Sequence, residues 1–241
     1  FENALAIFQA RELLKGQGAF DEAYPLYEAE LAIEGDPGRR VALLRDEATT
    51  RRSGGDLAGA TRALMRAREI DAQDPALQQE LASSVLDRVA QGEAVGPSER
   101  ATACEMLVAL AEVYDGEHGL AYAAGALDLD PGHDRALQLF SYYARMLGRD
   151  GELPARQLAY IGQNPSGAMG VDARRGLALY YEMNGQPGEA MGVLEPIRNL
   201  DPEAAQKLGE LAAQGVVPVA PAQPGRPAPT PLAEQRPMTA E

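Results

Sequence analysis

The chain has 241 residues, 45% of them hydrophobic, enough to bury a core in water. Thirty-six acids against 22 bases give a formal charge of −14 and a pI near 4.6, a field that repels phosphate backbones and argues against nucleic acid as a partner. Aromatics at 5% with no tryptophan argue against a β-sandwich, and the single cysteine, Cys104, excludes an internal disulfide or a thiolate metal cluster.

Apolar residues recur at spacings of three and four from Ala4 to Leu211, broken by clusters of Gly, Pro, Asp or Asn. This predicts an all-α chain of about twelve helices, near 2–15, 19–34, 39–52, 56–71, 76–91, 98–114, 117–129, 133–147, 153–163, 168–183, 187–199 and 203–213. Helices this short, joined by turns this short, fold back as antiparallel hairpins. Pro25 and Pro196 fall inside predicted helices and should bend them, since each removes a backbone donor. No window approaches about eighteen uninterrupted apolar residues, so no membrane-spanning helix is expected.

The segments GQGAFDEA, GGDLAGA and GQPGEA share a turn glycine followed five residues later by alanine: Gly18 and Ala23, Gly55 and Ala60, Gly185 and Ala190. Four residues further on comes a large apolar side chain, Tyr27, Leu64 or Leu194, which a helix places on the same face as the alanine. Closing signals recur as EIDAQDP to Pro75, ALDLDP to Pro131, IGQNP to Pro165 and NLDP to Pro202, and Pro131 lies 34 residues before Pro165. A helix-turn-helix period of that length resembles the tetratricopeptide repeat (TPR) family over roughly residues 3–202. The repeats are degenerate: the family's early aromatic is Ile7, Leu44, Leu137 or Arg174, and its first-helix glycine is Arg11, Ala48, Ser141 or Ala178. The resemblance implies an α-solenoid of antiparallel helix hairpins wound as a right-handed superhelix over residues 1–214, irregular around 76–116 and capped by helix 203–213. Each hairpin would bury its apolar face against its neighbour.

After Gly215 the composition turns to VVPVAPAQPGRPAPTPLAEQRPMTAE, which holds seven of the seventeen prolines. Pro218, Pro221, Pro224 and Pro227 recur at every third residue, the period of a polyproline II ridge, so residues 215–241 read as a linker or as a partner-binding strand.

Chemistry-bearing groups are sparse. His118 and His133 sit in or beside turns and read as solvated or capping residues, without a Cys/His partner at metal-ligand spacing. Phosphate-binding glycine loops are absent, and DLDPGHD has Leu139 where a calcium loop needs a bidentate glutamate. Cys104 reads as a buried small hydrophobe. No nucleophile–base pair assembles, so no catalytic residue, cofactor or metal is assigned.

In a helical-hairpin solenoid the first helix of each pair lines the concave face. Counting ten, six and three residues back from a turn glycine gives Phe8, Glu12 and Lys15; Arg45, Thr49 and Arg52; Gln138, Tyr142 and Arg145; and Arg175, Leu179 and Glu182, with Arg135 a further turn back. These thirteen positions hold six bases and two acids in an acidic chain. Either they make a locally positive groove whose guanidinium forks suit carboxylates and whose Tyr142 offers a flat face, or the arginines pair with neighbouring acids. TPR grooves that clamp a terminal carboxylate present Lys and Asn; here Arg stands for Lys and Asn is missing, so that specificity is not carried over.

The resulting expectation is a non-catalytic scaffold or adaptor. It would dock a protein or peptide of acidic character through Phe8, Lys15, Arg45, Arg52, Arg135, Gln138, Tyr142, Arg145 and Arg175, as a subunit of a hetero-complex. Two other readings stand beside it: a regulatory or targeting domain of a longer chain, and a structural subunit of an envelope or secretion-type assembly that works through its convex face and tail. The arginine-rich, lysine-poor basic set fits a GC-rich bacterial coding bias, and the start at Phe1 leaves cytoplasm and periplasm both open.

Overall fold

The structure, a computed structural model, describes residues 2–165 and 167–221. Among them are twelve α-helices and no strand: α1 (Glu2–Gly16), α2 (Phe20–Ile33), α3 (Pro37–Ser53), α4 (Leu57–Ile70), α5 (Pro75–Ala90), α6 (Pro97–Val113), α7 (Gly116–Leu129), α8 (Asp134–Met146), α9 (Leu153–Gln163), α10 (Ala168–Met183), α11 (Pro187–Leu194) and α12 (Pro202–Ala213). Two compact units divide the chain, the first reaching Leu110 and the second starting at Ala111.

In the first unit each helix from α1 to α4 packs on the next, and in the second the same holds from α7 to α12, with a 3-10 turn at Asp150–Glu152 before α9 and another at Glu195–Ile197 before α12. Packing between sequence neighbours is the arrangement in which a hairpin borrows its neighbour to cover its apolar face. The repeated small and large positions are where the hairpins close: Ala23, Ala60 and Ala190 are fully buried, as are Tyr27, Leu64 and Leu194 four residues on. Burying a leucine of that kind contributes about 2 kcal/mol.

The turns close by one backbone device. Gly18, Gly55, Gly92, Gly148, Gly185 and Gly215 all have φ between 68° and 82°, a region only glycine enters without strain. The residue after each donates back five positions, as in Asp56 N to Arg51 O at 2.9 Å and Gln186 N to Tyr181 O at 2.8 Å. Gly92 completes a series at 37-residue intervals with Gly18 and Gly55. The stretch expected to be irregular around 76–116 therefore opens with α5, which ends in the same turn as α1 and α3. The loop after it is pinned by Arg88, whose side chain holds Glu93 (2.9 Å) and Glu99.

Two expectations need correction. Three of the four Asp-Pro pairs act as starts: Pro37, Pro75 and Pro202 occupy the first helical position, and Asp36, Asp74 and Asp201 cap the new helix, whereas Asp130-Pro131 follows the end of α7 as expected. Proline suits that position because its missing N–H would have had no helical partner. The helix expected over 187–199 ends at Leu194 and tightens into the 3-10 turn containing Pro196. Pro25, in contrast, lies within an unbroken α2. His133 caps α8, its Nδ1 accepting from Ala136 N at 3.2 Å, and Cys104 is buried.

Candidate partner-binding groove

Bases on α1 and α3 meet acids on the next first helix, α3 or α5. Arg11 reaches Asp46, Arg45 reaches Glu80 and Arg52 reaches Asp87, each across 35 residues. Consecutive first helices present the same face, so one repeat length brings a base on one beside an acid on the next.

The Arg11 node is the tightest. Its side chain is 4% exposed, donates to Glu30 at 2.9 Å as well as to Asp46, and lies 4.5 Å over the Tyr27 ring. Lys15 adds 2.8 Å bonds to both Asp46 oxygens, and the buried Tyr27 hydroxyl donates to Asp46 at 2.6 Å. Burial alone would lift the Asp46 carboxyl, but the hydrogen bonds from Lys15 and Tyr27 outweigh it and hold the group below the usual carboxylate range. The cleft beside this node encloses about 530 Å³ and includes Phe8, which is 44% exposed.

Further along, Arg45 bonds Glu80 through two nitrogens, one at 3.0 Å, and lies 3.6 Å from Asp74. Arg52 approaches Asp87 only to 3.6 Å. Burial pushes the Asp87 carboxyl up, and that guanidinium does not offset it.

In the second unit Arg135 bonds Glu112 at 2.7 Å and Gln138 at 3.4 Å. Arg175 makes a bidentate pair with the buried Asp201 at 2.6 and 3.0 Å and reaches Glu203 at 3.0 Å. The Arg175 guanidinium, with the N–H groups that open α12, holds the Asp201 carboxyl below its ordinary range.

Arg145 is different. It is exposed, and among the described residues no carboxylate lies within 4.0 Å of its charge. It lines a cleft of about 410 Å³ between α8 and α10, with Tyr142 (56% exposed), Met146 (69% exposed), Met169 and Asp172. Gln157 of α9 forms part of its wall. The Gln157 side-chain oxygen is fully buried and has no hydrogen-bond donor among the described residues, a state most buried polar atoms avoid. The cleft therefore offers an aromatic face, a thioether surface and an unpaired guanidinium. Further along, Leu179 and Met183 of α10 are 59% and 79% exposed.

Of the nine groove residues singled out from sequence, Lys15, Arg45, Arg52, Arg135 and Arg175 are held in ion pairs, and Gln138 Nε2 lies 3.5 Å from Met169 Sδ. Phe8, Tyr142 and Arg145 remain exposed for a ligand. Arg11, Asp46 and Gln157 were missed. An arginine where the family places a small residue was the available signal for Arg11; Gln157 sits on a second helix, outside the counting rule.

In the tail, Pro218 is exposed and Pro221 half-buried, while Pro224 and Pro227 lie outside the described residues. Residues 217–220 lie along α11, with Val219 N donating to Gly188 O at 2.8 Å.

Among the described residues no helix is long and apolar enough to cross a membrane, and no group of three or more His, Cys, Asp or Glu could hold a metal. No protein-family model and no curated protein matches the chain. Among solved structures it is similar to the crystal structure of MamA protein, at 16% identity and a TM-score of 0.35, over 90% of this chain and 98% of that one.

Proposed function

We propose that the chain is a non-catalytic interaction scaffold that docks a segment of a partner protein in the α8–α10 cleft. The observation that carries this reading is the group of side chains open there: Tyr142 and Met146 exposed, and Arg145 exposed without a carboxylate among the described residues. An apolar side chain of the partner would lie on Tyr142 and Met146, and its carboxylate would take the Arg145 fork. Asp172 in the same cleft disfavours a second acid on the α10 side. The ion-paired bases of α1 and α3 hold repeats together, and the partner's acidic character is needed at Arg145 alone.

The test compares proteins retained by the wild-type chain with those retained by a Tyr142→Ala/Arg145→Ala double variant of equal helicity. Proteins held by the first and lost by the second are the expected result. Identical retained sets would remove the cleft as the docking site.

A further inference from the structure

The outer face of α11 is built around two glycines one turn apart. Pro187–Leu194 is eight residues long, with Gly188 and Gly192 on one stripe. Glycine is the poorest helix former after proline, so two in so short a helix call for a packing reason. The structure supplies one. A Cβ on Gly192 would overlap the Val219 carbonyl oxygen, and one on Gly188 would stand 2.9 Å from a Val219 methyl and 3.0 Å from Val217 O. Gly162 in α9 and Gly209 in α12 have nothing within 4 Å of such an atom. The furrow over Gly188 and Gly192 is thus filled by backbone, and only hydrogen leaves room for it.

The chain reaches this furrow by its own geometry. Gly215, at φ 79°, closes α12, and Val216 N donates to Leu211 O at 3.1 Å, which turns the backbone out of the helix. Pro218 and Pro221 then favour an extended course, and Val219 N, the amide between them that faces α11, bonds Gly188 O at 2.8 Å. Val217 and Val219 stay 72% and 48% exposed, so the seat grips main chain more than side chain.

We propose that the glycine furrow of α11 is a binding site for an extended, proline-flanked strand of small and β-branched residues, and that Val217–Ala220 is its tethered ligand. Tethering places the strand at an effective concentration of about a millimolar, so a weak contact suffices to hold it. A free strand of the same chemistry enters only by displacing it. This site is separate from the α8–α10 cleft, and neither depends on the other.

The test is amide hydrogen exchange by NMR on the full chain. The Val219 amide is expected to exchange at least about tenfold more slowly than in a free peptide. Gly192→Ala should abolish that protection while helicity is kept, and Gly209→Ala, a helical glycine with open space, should leave it intact. In a Val219→Pro chain, which lacks the N–H for Gly188 O, the free peptide VVPVAPAQP at about millimolar concentration should shift the Gly188 and Gly192 signals toward their wild-type positions. A Val219 amide exchanging at the free-peptide rate, protection that survives Gly192→Ala, or a peptide that leaves both glycine signals unmoved would each overturn the proposal.

Discussion

The first helices of the N-terminal unit and the α8–α10 cleft of the second present the same kinds of side chain in opposite states. On α1 and α3, Arg11, Arg45 and Arg52 each have an acid within 3.6 Å on the next first helix. At α8 no carboxylate among the described residues answers Arg145, and Tyr142 stays 56% exposed although its ring meets Tyr143 edge-on. A guanidinium that already holds a carboxylate must lose it before binding another, so the first surface favours cohesion and the second recognition.

The sharpest way to break this contrast is at Arg11. Arg11→Ala strands Glu30, leaves Asp46 with Lys15 and Tyr27 alone, and should cost about 2 kcal/mol of unfolding free energy by urea titration. That is below the range for wholly buried pairs because Asp46 is 37% exposed. A loss under about 0.5 kcal/mol would mean that the node is a surface pair after all.

Next in size is recognition itself. Tyr142→Ala should weaken any partner retained through the cleft by tenfold or more, about 1.4 kcal/mol, measured by calorimetry, whereas Arg45→Ala should change that affinity less than about twofold. Equal effects would merge the two surfaces into one.

A smaller effect belongs to Asp201. Its folded pKa is lowered, so the pair with Arg175 stabilises the chain above the carboxylate's ordinary pKa and is lost as pH falls through the lowered folded value. Asp201→Asn keeps an acceptor for the α12 cap but removes this titration. The variant's melting temperature should therefore fall less steeply than the wild type's from about pH 5 to about pH 2.

The smallest change is Arg52→Ala. Its 3.6 Å contact joins side chains 42% and 44% exposed, and the stability change should stay within about 0.5 kcal/mol by the same urea titration.

Helix positions were legible because local rules set them. Left-handed glycines, alanines five residues later and the 3.6-residue apolar period act within a dozen residues, and Gly18, Gly55 and Gly185 stand where those rules place them. Gly92 escaped because Pro97 occupies the position where the alanine marks the other turns. The pairing of the bases was written at a longer range, since Asp46, Glu80 and Asp87 each stand 35 residues after their partners. Applying the repeat length to charges as well as to turns would have separated Arg45 and Arg52 from Arg145. Gln157 and the α11 furrow were not legible, because an unanswered acceptor and a space the size of a hydrogen exist only once three segments have been brought together.

The six left-handed glycines that close helices also bear on how such a chain can change over generations. Each closes its helix with main-chain bonds and asks nothing of the side chains exposed on the groove three, six or ten residues earlier. Replacing Tyr142 or Arg145 therefore leaves the turn at Gly148 whole, and a lineage can change the chemistry of that cleft without first relearning how to fold.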